Sequence, residues 1–283
     1  MPVRVSIITV TYNSEKHLED CIASVRKQTY GNIEHIIVDG KSTDRTLKII
    51  QKNAGSIARW ISEPDRGMYD AINKGIAMAS GDIIGVLNSD DMLASADVIM
   101  DIVACFDEKQ VDSVYGDLVY VNAANPKLVM RYWKGLPYKR SRFNYGWMPA
   151  HPTFYIRRGL IEQFGGYENH YFTAADYEFM ARYLYHHKIS SFYLDKMIVK
   201  MRNGGASNNS IYGRLRANRR DYLAMKKNNI PFALMVSILK PLIKIPQYKN
   251  ARGQEAVSAD RPHKFFSSKV LVFPADVKAE ADR

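Results

Sequence analysis

Cysteine is scarce in these 283 residues: there are two, Cys21 and Cys105. They stand far apart, each inside an apolar helical pattern, which argues against a disulfide-stapled scaffold or a cysteine metal site and makes them small buried hydrophobes. Long apolar runs are missing too. The most apolar stretch, "IPFALMVSILKPLIKIPQYK", is cut by Lys240, Pro241 and Lys244, and it falls short of the roughly 20 residues that a spanning helix needs. It reads either as an interfacial segment with snorkelling lysines or as a segment packed on the domain. The opening "MPVRVSIITVTYNSE" lacks the apolar core and small-residue cleavage site of a secretory signal, so a cytoplasmic protein is expected. No internal repeat and no recognised nucleic-acid motif occurs. A glycine-rich, basic phosphate loop after the first strand, which a sugar-nucleotide pyrophosphorylase requires, is absent; "TVTYNSEKHLED" stands there.

Acidic residues are short in one half only. Residues 1–125 hold 12 Lys+Arg against 18 Asp+Glu, net −6, and the rest of the chain holds 28 against 11, net +17. The overall charge of +11 therefore belongs to the second half. Such a half suits an anionic membrane, a phosphorylated substrate or nucleic acid.

What is present alternates. "VRVSIITVTY", "IEHIIVDG", "ARWIS" and "DIIGVLN" read as strands. Between them lie the helical patterns "EKHLEDCIASVRKQ", with Ser14 as N-cap, "STDRTLKIIQKN", opened by Ser42 or Thr43, and "GMYDAINKGIAMAS". Short connections between them predict right-handed βαβ units, a mostly parallel central sheet and flanking helices, hence an α/β fold. The second half is mixed. "SVYGDLVYVN" pairs with "PKLVMRYW", "HPTFYIRR" is a strand, "GLIEQFGGY" and "AADYEFMARYLYHHK" are helices, and "SSFYLDKMIVKMR" is a strand before the loop "NGGASNNS". Residues 211–228 read as a basic helix, and the chain beyond Ala251 as a polar, poorly ordered tail.

In open α/β sheets ligands bind beyond the carboxyl ends of the strands. Thr11, Tyr12 and Asn13 follow the first strand, Asp39 ends the second, Asp65 and Arg66 follow the third, and Asp90 and Asp91 follow the fourth. Two adjacent carboxylates repel each other unless a cation relieves them, and hard oxygen donors on a rigid strand end suit Mg²⁺ or Mn²⁺.

Three ordered stretches carry a resemblance: "VSIITVTYNSEKHLEDCIASVRKQTYGNIEHIIVDGKSTDRT", "EPDRGMYDAINKGIAMASGDIIGVLNSDDM" and "HPTFYIRRGLIEQFGGYENHYFTAADYEFMARY". They resemble the family 2 glycosyltransferases of GT-A fold, over about residues 3–205. Within the family the likeness is to enzymes that extend lipid-linked oligosaccharides for colanic-acid-like exopolysaccharide, capsule or O-antigen. The resemblance implies that Thr11, Tyr12 and Asn13 hold the nucleotide, that Asp39 accepts a hydrogen bond from the base, and that Asp65, Arg66 and Asn73, with Lys74, lie near the nucleotide and diphosphate. It implies metal binding by Asp91 and Asp90, with Asp91 the direct ligand and Asp90 on the ribose or metal. Many relatives begin this motif with Asp where this chain has Asn88. Asp176 falls at the catalytic base of inverting members, with Glu178 as the fallback; His151, Gly204, Gly205 and Ser207 become candidates for acceptor or diphosphate contact.

The expectation is thus a metal-dependent, inverting hexosyltransferase, using Mn²⁺ or Mg²⁺, a UDP or GDP sugar and a polyprenyl-diphosphate-linked acceptor. Its transferase domain spans 1–208, divided at 125 into nucleotide-binding and acceptor-side halves, with basic and amphipathic helices over 209–250 and a tail over 251–283. Arg214, Arg216, Arg219, Arg220, Lys226 and Lys227 would meet anionic lipid at the inner face of the plasma membrane, each worth about 1 kcal/mol. Two alternatives remain. A processive polysaccharide synthase would carry transmembrane helices and a Gln-x-x-Arg-Trp motif, whereas a basic nucleic-acid-binding protein would leave the carboxylates at four strand ends without a task.

Overall fold

The computed structural model describes residues 2–204 and 211–237, without the side chains of 211–216. The segments around Gly205 and Ser207, most of the apolar stretch beyond Ser237, and the tail lie outside the described residues.

Strand β1 (Val5–Thr11) is buried along its whole length, as a central parallel strand covered on both faces should be. It pairs in parallel with β2 (Ile33–Asp39) on one side and β4 (Ile83–Val86) on the other; β3 (Arg59–Ser62) extends the sheet beyond β2. The helices α1 (Leu18–Arg26), α2 (Thr46–Lys52) and α3 (Met68–Met78) make the crossovers. The order β3-β2-β1-β4 reverses direction between β1 and β4. This is the switch point at which such sheets open a crevice.

Both helices expected to start on a hydroxyl start later. Ser14 Oγ bonds to Ser89 Oγ at 2.8 Å, and Ser42 donates to Asp39, so neither hydroxyl is free to cap. Instead α1 and α2 begin at Leu18 and Thr46.

Beyond β4 the sheet is mixed. β6 (Ser113–Val121) runs antiparallel to β7 (Val129–Trp133) and β8 (Tyr155–Arg157) and parallel to β9 (Ser191–Arg202), which ends on the two-residue β5 (Met92–Leu93). β8 is antiparallel to β4 and closes the sheet into one nine-stranded surface. Gly85 of β4 lies under the Tyr155 ring, where any Cβ would collide. The stretch "HPTFYIRR" is strand only from Tyr155; His151–Thr153 is a 3-10 turn.

Helices α4 (Val98–Lys109) and α5 (Arg158–Phe164) flank this half, α5 closing on Gly165 at φ 85°. Two large apolar clusters fill the core: one joins α3 to the aromatic residues between Phe143 and Tyr185, and the other lies under α4. Helix α6 (Ala175–Met180) passes into a π-helical turn, Ala181–His186. There the Leu184 and Tyr185 carbonyls accept from Tyr138 Oη and Arg140 Nε at 2.6 and 2.9 Å. Helix α7 (Ile211–Lys227) packs on α6 and on the irregular 3-10 segment Asn169–Ala174 before it. No helix among the described residues is long and apolar enough to cross a membrane.

Candidate active site

The parallel register sets Thr11 beside Asp39 and Asp39 beside Ser62. Asp39 is buried, and its carboxylate accepts from Ser42 N (3.1 Å), Ser42 Oγ and Ser62 Oγ (2.6 Å). A carboxylate has about four acceptor sites, so about one is left. Asn13 takes a left-handed conformation, φ 49°, which Asn tolerates. Its amide donates to Ser42 Oγ at 2.8 Å while its side chain accepts from Thr43 N at 2.9 Å. The loops after β1 and β2 are thereby stitched together. Tyr12 is left 64% exposed at their mouth. Asp65 lies against Gly40, where a Cβ would strike its carboxylate and touch the Tyr12 ring. Arg66, expected at the diphosphate, pairs with Asp70 at 2.7 Å and is otherwise exposed.

Asp90 and Asp91 part company. Asp91 has no accessible surface. Its oxygens accept from Asn88 Nδ2 at 3.0 Å and Arg202 N at 3.3 Å, and burial, with Asp90 alongside, pushes its carboxyl well above the usual range. Asp90 is half-buried, and its carboxylate has no hydrogen-bond or ion-pair partner among the described residues. A carboxylate sealed off from the crevice cannot meet a ligand that arrives through it, so the weight between the two shifts to Asp90.

The residue that organises this turn was not found in the sequence. Arg202, ending β9, donates to the Asp90 carbonyl at 2.9 Å and to Asp20 at 2.5 Å. Asp20 lies 182 positions away, and the pairing of β9 with β6 and with β5, where Lys200 faces Met92, brings Arg202 there. The sole available signal was a basic residue closing an apolar strand. His17 is a second omission; burial, and then Arg202, hold its pKa below the usual value. Three buried polar atoms in this region lack partners among the described residues: Thr11 Oγ1, Asn88 Oδ1 and Arg202 Nε.

Asp176 opens α6 half-buried, one oxygen accepting from Tyr177 N at 2.7 Å. Tyr69, on the first turn of α3, reaches the Asp176 backbone, so the 65–69 segment spans from the Tyr12 mouth to Asp176. Glu178, the fallback base, has its carboxylate occupied. It is buried, with its carboxylate on Arg182 (3.1 Å), Lys227 (3.2 Å) and Asn228 (3.5 Å). Asn73 has its amide spent on the backbone of Tyr167, donating to O and accepting from N at 2.8 Å each. Lys74 binds the Pro64 carbonyl at 2.7 Å and Glu63.

His151 is buried and meets Tyr167 Oη at 2.7 Å, its pKa lowered by burial. That makes it a support for the loop below Asp176 rather than a contact. Gly204 has φ 121°, open to solvent; Gly205 and Ser207 fall outside the described residues. Among the cations expected at lipid, Lys227 is committed to Glu168 and Glu178.

The family model described as "Glycosyl transferase family 2" matches residues 6–165. A Mycobacterium tuberculosis protein described as an uncharacterized glycosyltransferase is 35% identical over 184 residues, covering 63% of this chain and 68% of its own. A "PGL/p-HBAD biosynthesis glycosyltransferase" of Mycobacterium bovis is 30% identical over 210 residues, covering 73% and 79%. Among solved structures, S. aureus TarS 1-349 in complex with UDP matches with a TM-score of 0.60 at 22% identity, over 85% of this chain and 70% of that one. Against the longer TarS chain the match spans 41% of its length. The mannosyltransferase PcManGT from Pyrobaculum calidifontis, in complex with GDP-Man and Mn²⁺, matches with a TM-score of 0.61 at 18% identity, over 89% and 74%. At these identities the structural likenesses speak for the fold.

Proposed function

The chain belongs to glycosyltransferase family 2, a family of sugar-transferring enzymes, and has the GT-A fold; on that premise we propose that it moves one sugar from a nucleotide-diphosphate donor to a hydroxyl of a polyprenyl-diphosphate-linked saccharide. The transfer inverts the anomeric centre and serves bacterial surface polysaccharide assembly. The observation that carries the reading is Asp90, a partly exposed carboxylate at the switch-point end of β4 that has no partner among the described residues, next to Asn88 Oδ1, which has none among them either.

In this reading Tyr12 offers its exposed ring to the base, and Asp39 and Asp65 frame the pocket. Asp90 is the open donor for a divalent cation, held in place by Asp91, Asn88 and Arg202. No group of three His, Cys, Asp or Glu able to hold a metal occurs among the described residues. That fits Mg²⁺ or Mn²⁺, which bind through one or two carboxylates and the oxygens of a substrate diphosphate. The Mn²⁺ in the Pyrobaculum structure agrees. When bound, such a cation would neutralise charge on the leaving diphosphate.

Asp176 takes the proton of the acceptor hydroxyl. The bond from Tyr177 N fixes one of its oxygens and leaves the other for that proton, and a neutral alcohol is too weak a nucleophile without it. The site lies at the inner face of the plasma membrane, where a lipid-linked acceptor is presented.

A panel of UDP and GDP sugars with Mn²⁺, read by thermal shift, tests the donor side: one nucleotide sugar should raise Tm. Asp90→Ala should abolish that shift, and Asp176→Asn should keep it. Stabilisation by none of the panel, or an unchanged shift in Asp90→Ala, would overturn the reading.

A further inference from the structure

Three cations on α7, Arg219, Arg220 and Lys226, have no ion pair among the described residues. Their spacing sets them along one side of the helix, and Leu223 stands among them 42% exposed. Just after the helix, Phe232, Leu234 and Met235 are 74%, 63% and 52% exposed. Two open concavities run along this side, one lined by Arg220 and Leu223, the other by Phe232 to Met235, and both include Lys226. The apolar and cationic groups therefore form one continuous face.

Phe172 joins it from the acceptor side. Its backbone sits at φ 46°, ψ −119°, a conformation that costs a bulky residue on the order of 1–3 kcal/mol. Core packing does not explain that cost, because the ring is 55% exposed, with the Arg220 guanidinium 4.2 Å above it. Phe172 precedes Asp176 by four positions. A large exposed apolar side chain held outward at such cost, beside unpaired cations, is the composition of a surface that lies in a lipid interface.

We propose that this face is a membrane-docking surface: Phe172, Leu223, Phe232, Leu234 and Met235 enter the headgroup–acyl boundary of an anionic bilayer while Arg219, Arg220 and Lys226 hold lipid phosphates. The proposal rests on the glycosyltransferase reading and deepens it. Charge attraction alone would leave the enzyme loosely adsorbed in any orientation. Insertion of this apolar row sets Asp176 at the boundary, where the first sugars of a lipid-linked saccharide stand.

The two contributions separate in flotation of the full chain with vesicles of phosphatidylcholine containing roughly one third phosphatidylglycerol, at low salt and at about 0.5 M NaCl. Wild type should float at both, with a salt-resistant fraction. Arg219→Gln with Arg220→Gln and Lys226→Gln should lower low-salt partitioning by roughly a hundredfold, each cation being worth about fivefold. Phe232→Ser with Leu234→Ser should remove the salt-resistant fraction. Thermal shift with the sugar-nucleotide panel checks folding and the donor site: an intact donor response with lost flotation supports docking. Flotation unchanged by the serine pair, or wild type that never floats, sinks the proposal. So does a serine pair that acts only on oligomeric state in light scattering, since the face then meets a second copy.

Discussion

The support around Asp90 and the support around Asp176 are made of different material. Around Asp90, short polar contacts between neighbouring strand ends do the holding: Ser14 with Ser89, Ser42 with Asn13 and Asp39, Arg202 with the Asp90 carbonyl. Around Asp176 it is rings. Each aromatic pair among the described residues draws at least one ring from 115–193, including the stack of Tyr167 on Phe179 at 4.2 Å and Tyr115 against Trp147. Hydrogen bonds fix direction, which suits the nucleotide-diphosphate site proposed around Asp90. Stacked rings fill volume through apolar contact, which suits the saccharide site proposed around Asp176.

The comparison breaks if the two sides do not separate in kinetics. The largest expected effect is that of Asp176→Asn, which should lower transfer by about 10²–10⁴ in kcat and leave donor affinity unchanged, since only proton removal is lost. Titrating the donor by thermal shift alongside single-turnover transfer checks it. A weakened donor titration would mean that Asp176 also shapes the nucleotide pocket.

Next comes Glu178→Gln, whose cost should fall on stability. Removing that buried charge takes the carboxylate from Arg182, whose side chain is 9% exposed, and leaves Lys227 on Glu168 alone, so unfolding free energy should drop by about 3–4 kcal/mol. Urea melts measure it, and kcat per folded molecule should hold. A large loss of kcat with unchanged stability would restore Glu178 to the chemistry.

Asp176 and Glu178 also mark where the sequence stops being informative. Both are carboxylates in the first turn of α6. Which one faces the cleft depends on helix phase and on α7 packing over Glu178, and neither is written in local spacing. The strands were legible because buried apolar runs such as "VSIITVT" have few other ways to fold. Helix starts were not, because Ser14 and Ser42 spend their hydroxyls on residues that only the sheet brings near. The placement of Asp39, Asp65, Asp90 and Asp91 at or just past strand ends was legible because each follows a recognisable strand. Arg202 was not, because its partner Asp20 belongs to the first helix of the chain.

A smaller effect tests the donor half through His35. It is fully buried between Thr9, whose hydroxyl is 3.0 Å from Nε2, and an unpaired Nδ1, and burial lowers its pKa from 6.5 to about 4. The unfolded chain then binds the extra proton between those values. Stability is complete above pH 6.5 and lost as pH falls toward 4, by about 3 kcal/mol at most. His35→Gln should flatten this slope in chemical melts between pH 4 and pH 7, and an unaltered slope would assign it to other groups.

The smallest effect joins the halves. Asn73 is a donor-side helix residue that holds both backbone groups of Tyr167 on the acceptor side. Asn73→Ala leaves that N–H and carbonyl without their partners, at about 1–2 kcal/mol. Its consequence for function should exceed its consequence for stability: Tyr167 carries His151 and stacks on Tyr69 below Asp176, so acceptor KM should rise while the donor-induced thermal shift stays. Equal losses on both sides would mean that the stitched strand ends and the stacked rings move as one body, and the division drawn between them would fail.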